Sequence, residues 1–166
     1  LNFFRDPVRS IPNDKGTVIS PADGKIVKIT EVDDSDVGES AILVSIFLNV
    51  FNVHVNRVPV NGIVESKERK SGKFLAAFDH DASDLNEQVI TIFKNDSGKI
   101  KVKQIAGLIA RRILCYANTD SKMKKGERLG FIRFGSRTDL LMPKKYNIQV
   151  KLGQKVTGGE TIIGNL

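Results

Sequence analysis

The chain has almost nothing from which to build a thiol or metal centre. It carries one cysteine, Cys115, in 166 residues, so an intrachain disulfide and a cysteine metal cluster are both excluded. A lone thiol points to a reducing compartment, and Ile113-Leu114-Cys115-Tyr116 reads as a small hydrophobe inside a core. There are two histidines, His54 and His80, and they alone can act as an imidazole base near neutral pH. His80 stands in Phe78-Asp79-His80-Asp81. Two carboxylates around one ring would hold a metal only weakly, and zinc-site spacing is missing, so no metal is expected. No apolar run nears the roughly 18 residues that span a bilayer. Aromatics make up 7% of the chain and do not interleave with basic residues, which argues against a base-stacking surface for nucleic acid.

What is present is a basic chain with enough apolar content for a core. It is 40% hydrophobic with a net charge of +7, which fits one domain over residues 1–166 with an anionic partner. Lysines and arginines gather in 67–73, 122–128 and Lys144-Lys145. The plain account of these is a solvated surface, and the functional one is a face for anionic lipid. The chain starts at Leu1 rather than Met, so a fragment or processed form is expected, with any N-terminal anchor outside it. The aromatic pair Phe3-Phe4 fits either a core or a membrane contact.

Short β-rich segments alternate with turns about every ten residues. Strands are expected at 17–20, 25–29, 41–47, 53–60, 63–67, 89–94, 99–104, 129–134, 138–142, 148–152 and 160–163. Residues 33–39 read as an acidic loop, 48–52 as one helical turn, and 72–86 as a loop with a helical piece. Asn61-Gly62 reads as a hairpin turn. Residues 105–116 fit a helix or a strand equally well. The fold class is therefore mainly β (α+β) with one or two short helices, of barrel or sandwich type, a barrel-sandwich hybrid being one form. A lipoyl- or biotinyl-type carrier is a rival, but Lys25 and Lys155 lack the neighbours of a modified lysine.

Chemistry centres on Phe134-Gly135-Ser136-Arg137, between two strand-like runs. The bland reading is a tight turn. The sharper one is that Ser136 attacks the carbonyl of Gly135, because glycine has no Cβ in the way and accepts a strained peptide. Asp23, His54 and Ser136 supply a carboxylate, an imidazole and a hydroxyl, the parts of a relay. Each has a structural alternative: Asp23 in an Asp-Gly turn, His54 as a satisfied strand residue, Ser136 as a turn residue.

Several segments, in this order, resemble phosphatidylserine decarboxylase in its short form. They are Ser20-Pro21-Ala22-Asp23-Gly24, Asn52-Val53-His54 through Val58-Pro59-Val60-Asn61-Gly62, Asn86-Glu87, Lys125-Gly126-Glu127 and Phe134-Gly135-Ser136. The likeness covers nearly the whole chain. It implies a proenzyme that cuts itself between Gly135 and Ser136 into a β-chain, 1–135, and an α-chain, 136–166. Ser136 would become a pyruvoyl group, with Asp23 and His54 activating it. The group would take up the amine of phosphatidylserine so that carbon dioxide leaves, and His54 would return the proton. Many members carry a second histidine where Arg57 stands here. Either His54 then does both tasks or Arg57 binds substrate anion, with Arg111, Arg112 and Arg137 as further candidates. The resemblance also implies phosphatidylserine in an anionic membrane, the two cleaved chains and a homodimer as partners, and no nucleic acid. The expected place is the cytoplasmic face of the cell membrane, peripheral or anchored by a segment outside this chain. Two alternatives stand beside it: a non-catalytic basic β-domain that binds anionic membrane or nucleic acid, and a family member acting on another amino-headgroup lipid or a soluble amino acid.

Overall fold

Runs of β-branched residues with alternating burial make this an antiparallel β protein. The computed structural model describes residues 6–49, 52–77, 82–108, 112–132 and 135–166. In chain order the elements are β1 (Thr17–Ile19), β2 (Gly24–Asp34), β3 (Gly38–Leu48), β4 (Val55–Arg57) and β5 (Gly62–Lys70). A single helical turn, α1 (Ala82–Leu85), follows, then β6 (Gln88–Asn95), β7 (Gly98–Ile105), β8 (Ile113–Cys115) and β9 (Lys122–Met123). The last are β10 (Arg128–Ile132), β11 (Ser136–Met142), β12 (Asn147–Ile148), β13 (Lys155–Val156) and β14 (Ile162–Asn165).

Eight strands form one sheet in the order β13-β2-β3-β11-β7-β6-β5-β9, and two three-stranded sheets, β1-β14-β12 and β4-β10-β8, complete the fold. The barrel-or-sandwich, mainly β class read from the sequence is thus what the chain adopts, with one short helix among the described residues. Strand β11 lies between β3 and β7. Its residues alternate across the sheet. Thr138, Leu140 and Met142 lie opposite Ile46, Val44 and Ile42 on one face. Leu140, Met142, Val44 and Ile46 join Leu48, Phe93, Ile100, Val102 and Leu129 in the main core. A smaller cluster of Val89, Ala106, Ile113 and Ile132 packs beside it. Cys115 is half-buried against both.

Several local readings change. Asn61-Gly62 is not a hairpin turn: β4 pairs with β10, whereas β5 pairs with β6 and β9. Likewise β1 pairs with β14 and β2 with β3, so the turn at 20–23 passes the chain between sheets. The acidic loop at 33–39 shrinks, because β2 runs to Asp34 and β3 starts at Gly38. Its carboxylates work in the turn: Asp34 Oδ1 accepts from the N–H groups of Asp36 and Val37. Only 55–57 of the expected 53–60 strand is ladder, and the 105–116 run holds the short strand β8. Alternation alone reports neither which strand is the partner nor where pairing stops. Phe3-Phe4, and Val50 and Phe51 of the expected 48–52 turn, lie outside the described residues.

Lys101, on β7, reaches across to the β2–β3 hairpin and pairs with Asp34 and Asp36, at 2.8 Å each. Burial by itself would raise the Asp34 carboxyl, but the Lys101 ammonium and the two turn N–H groups hold it below its ordinary 3.8. Burial would lower Lys101, but the two carboxylates hold it above 10.5. Both groups are therefore charged across neutral pH. A carboxyl depressed on folding stabilises at pH above its unfolded value and loses that contribution as pH falls through the folded one. Lys101→Met is expected to cost about 1–3 kcal/mol at pH 7. The gap should narrow as pH drops below about 4. Urea melts at pH 7 and pH 3 check this.

Candidate active site

The end of β3 brings the reactive parts together. Ser136 opens β11 opposite Leu48, and the amide of Gly135 donates to the Leu48 carbonyl at 2.8 Å. One residue on, the Asn49 carbonyl meets His54 Nε2 at 3.3 Å. Two consecutive carbonyls thus anchor the Gly135 amide and the His54 imidazole. The His54 ring is fully buried and stands edge-on to Phe131, with centroids 6.2 Å apart. Its backbone carbonyl accepts from Ile132 N–H, tying it to β10. The Ser136 hydroxyl is fully buried and has no hydrogen-bond partner among the described residues. A buried hydroxyl without a partner is costly, and such groups concentrate where chemistry needs them.

Gly135 adopts φ +74°, a left-handed conformation that favours glycine. Its carbonyl oxygen lies against Gly107: a Cβ built at 107 would stand 1.9 Å from that oxygen and 3.3 Å from Ala77 Cβ. The β11–β7 ladder pairs Arg137 with Ile105. Continued by two residues, the same register sets Gly135 opposite Gly107. Two glycines therefore face each other where the ladder ends, and one lets the other's carbonyl turn out of line. Sequence reasoning missed Gly107. The only signal was a glycine in an ambiguous apolar run, and its pairing is not readable from spacing.

Asp23 lies elsewhere. Its carboxylate takes the Arg9 guanidinium at 3.0 and 3.2 Å and the Gly158 N–H at 2.7 Å. Its turn meets β4 at Arg57, whose N–H donates to the Pro21 carbonyl. His54 is three residues back along that segment, about 10 Å of extended chain. The structure therefore holds Gly135 and the His54 ring on the consecutive residues Leu48 and Asn49, and places Asp23 with Arg9 and Gly158.

The arginines divide in the same way. Arg57 binds Asp6 at 2.7 Å and the carbonyls of Gly126 and Pro7. Arg128 shares Asp6. Arg137 is fully buried on the face of β11 away from Ser136. It pairs with Asp139 at 3.0 Å and donates to Ser45 Oγ at 2.7 Å and to the Ala77 carbonyl. That pair locks the strand behind the reactive residue and the 77 loop to it. Arg112 is exposed. His80 and Arg111 lie outside the described residues. Among the described residues no group of three His, Cys, Asp or Glu could hold a metal ion, and no helix is long and apolar enough to cross a membrane. A groove of about 760 Å³ is at the other end of the sheet, near the β6–β7 turn, and carries Lys94, Lys122, Lys124 and Lys125.

The structure shows a left-handed Gly135, a buried Ser136 hydroxyl and, on the carbonyl one residue beyond Leu48, the buried His54 ring. Comparison with known proteins agrees with that reading. The family model for phosphatidylserine decarboxylase matches residues 1–164. A phosphatidylserine decarboxylase proenzyme of Wolbachia pipientis wMel is 49% identical over 170 residues, covering 99% of this chain and 74% of that protein. Those of Chlorobaculum tepidum and Desulfotalea psychrophila are each 46% identical, covering 99% and 100% of this chain and 76% and 78% of theirs. The chain belongs to the phosphatidylserine decarboxylase family.

Proposed function

We propose that this chain cuts itself between Gly135 and Ser136 and then decarboxylates phosphatidylserine to phosphatidylethanolamine and carbon dioxide. The observation that carries the reading is the Gly135 carbonyl, turned out at φ +74° and seated against Gly107 beside a buried, unpartnered Ser136 hydroxyl. Ser136 Oγ bonds to the Gly135 carbonyl carbon while the C–N bond breaks, so the amide becomes an ester and position 136 gains a free amine. Loss of the Ser136 Cα proton expels Gly135 as a carboxylate and leaves a Cα=Cβ double bond. Water then replaces the nitrogen, ammonia departs, and a ketone caps the α-chain. Position 136 fits such a group: it is enclosed, at a strand start, and paired with Leu48 of β3. When present, the pyruvoyl ketone supplies an electron sink that takes up the substrate amine and draws electrons from the bond to the carboxylate.

His54 is proposed as the base that takes the Ser136 proton and as the acid that returns one to the substrate carbon. Its Nε2 sits on the Asn49 carbonyl, one residue from the carbonyl that holds Gly135. Asp23 is proposed to act through the chain, fixing the 21–24 turn against Arg9 and Gly158 and so placing the segment that carries His54. His54→Gln is expected to slow self-cleavage by about 10²- to 10⁴-fold. Gel analysis of freshly translated protein measures the rate, and cleavage at the wild-type rate would remove His54 from the mechanism. Action at the cytoplasmic face of the membrane is part of the proposal. It is supported by the +7 charge and by Leu108, 56% exposed beside Gly107. The direct test is release of carbon dioxide from carboxyl-labelled phosphatidylserine by the purified protein. Release that borohydride abolishes is expected, whereas no release from fully cleaved protein would refute the assignment.

A further inference from the structure

The space between the eight-stranded sheet and β4-β10-β8 holds more unsatisfied polar atoms than Ser136 alone. Thr138 Oγ1, Gln104 Oε1 and Asn56 Nδ2 are also buried without a partner among the described residues, and all three side chains are 0% exposed. They form one group. Thr138 follows Ser136 by two residues and so faces the same side of β11. Gln104 is its direct cross-strand partner on β7. Gln104 Nε2 donates to Asn56 Oδ1 at 2.9 Å and to the Leu114 carbonyl at 3.0 Å. The Leu114 carbonyl accepts only, so Nε2 must face it and Oε1 is the free end of Gln104. Asn56 accepts through Oδ1, which leaves Nδ2–H as its free end. Gly130 keeps the arrangement tight: a Cβ there would lie 2.0 Å from the Leu114 oxygen and 2.6 Å from Gln104 Nε2.

The free atoms are thus one amide donor, one hydroxyl and one amide acceptor beside the reacting residue. Buried polar groups are nearly always paired, so a set left open faces something polar that enters. We propose that Asn56, Gln104 and Thr138 form the receptor for the zwitterionic serine headgroup of the lipid. The carboxylate accepts from Asn56 Nδ2–H and Thr138 Oγ1–H, and the amine donates to Gln104 Oε1. The inference rests on the phosphatidylserine reading and adds its selectivity. A headgroup without a carboxylate forfeits two of the three bonds, which separates substrate from its ethanolamine product and favours release.

The test uses the cleaved enzyme with phosphatidylserine in detergent micelles, rates being normalised to the cleaved fraction. Thr138→Val keeps the shape and removes the hydroxyl. It is expected to melt at the wild-type temperature or above, because an unpaired buried group is gone. Its kcat/KM is expected to fall about 10- to 100-fold, mostly through KM. Thr138→Ser should restore both values. An unchanged kcat/KM overturns the proposal, and so does a lower melting temperature with unchanged kinetics, which would mark the group as a water site. Should Thr138→Val fail to fold, Asn56→Asp asks the same question. It keeps Oδ1 for Gln104 but turns the free donor into an anionic acceptor, so KM should rise further, and an unchanged KM overturns the proposal. Wild-type protein that neither cleaves nor decarboxylates would instead count against the function itself.

Discussion

Ser136→Ala is expected to purify as one intact chain of about 18.3 kDa, with no carbonyl reactive toward hydroxylamine and no decarboxylase activity. The oxygen it removes is the proposed nucleophile and the source of the ester, so no slower route around it remains. The fold should not suffer. Ser136 Oγ has no partner among the described residues to lose, and position 136 is held by strand pairing with Leu48 rather than by its side chain. A melting temperature at or slightly above that of the wild type is expected, since the substitution deletes an unsatisfied buried group. A folded Ser136→Ala protein that still splits at this bond would require another nucleophile.

Gly107→Ala carries the second largest expected effect and touches no reacting side chain. The added methyl would stand 1.9 Å from the Gly135 oxygen, well inside contact distance, and both partners are backbone. The carbonyl must move by about 1 Å or more, and displacement of that size costs on the order of 100-fold in rate where attack geometry is demanding. The stability cost of such overpacking is about 1–3 kcal/mol, so a folded but largely uncleaved precursor is expected. Time courses on a denaturing gel give the rate, and thermal melting shows that the chain is folded. Cleavage at the wild-type rate would mean that the oxygen is not held there during attack.

Much of the fold was legible because alternating burial writes itself into β-branched sequence. The β6–β7 hairpin turns at Asn95-Asp96-Ser97-Gly98, between the strands expected at 89–94 and 99–104, because a turn of that chemistry between two matched runs leaves little choice. Asn61-Gly62 has an equally good turn signature and misleads. The competing gain is burial: β5 completes the large sheet through β6, and β4 serves a different sheet through β10. The site was legible in part. His54 and Ser136 are nameable as residue types, and the end of β3, which sets Leu48 opposite Ser136 and the Asn49 carbonyl on His54, is what sequence separation hides. Asp23 shows the limit, because a carboxylate is satisfied by whichever cation the fold brings, here Arg9. Arg137 shows another. A charged residue after the reactive serine looked like a substrate ligand, but strand alternation sends it to the opposite face, where Asp139 and Ser45 hold it. Gly107 and the Asn56–Gln104–Thr138 group depend on register, which no local pattern records.

The most direct measurement is the intact mass of the wild-type protein after incubation, followed by borohydride treatment. Two chains, 1–135 and 136–166, are expected. The shorter should carry no amino group at its N-terminus and should gain the mass of two hydrogens on reduction. A single chain with an unmodified Ser136 under conditions where the protein is folded, or a cut at any other bond, would contradict it.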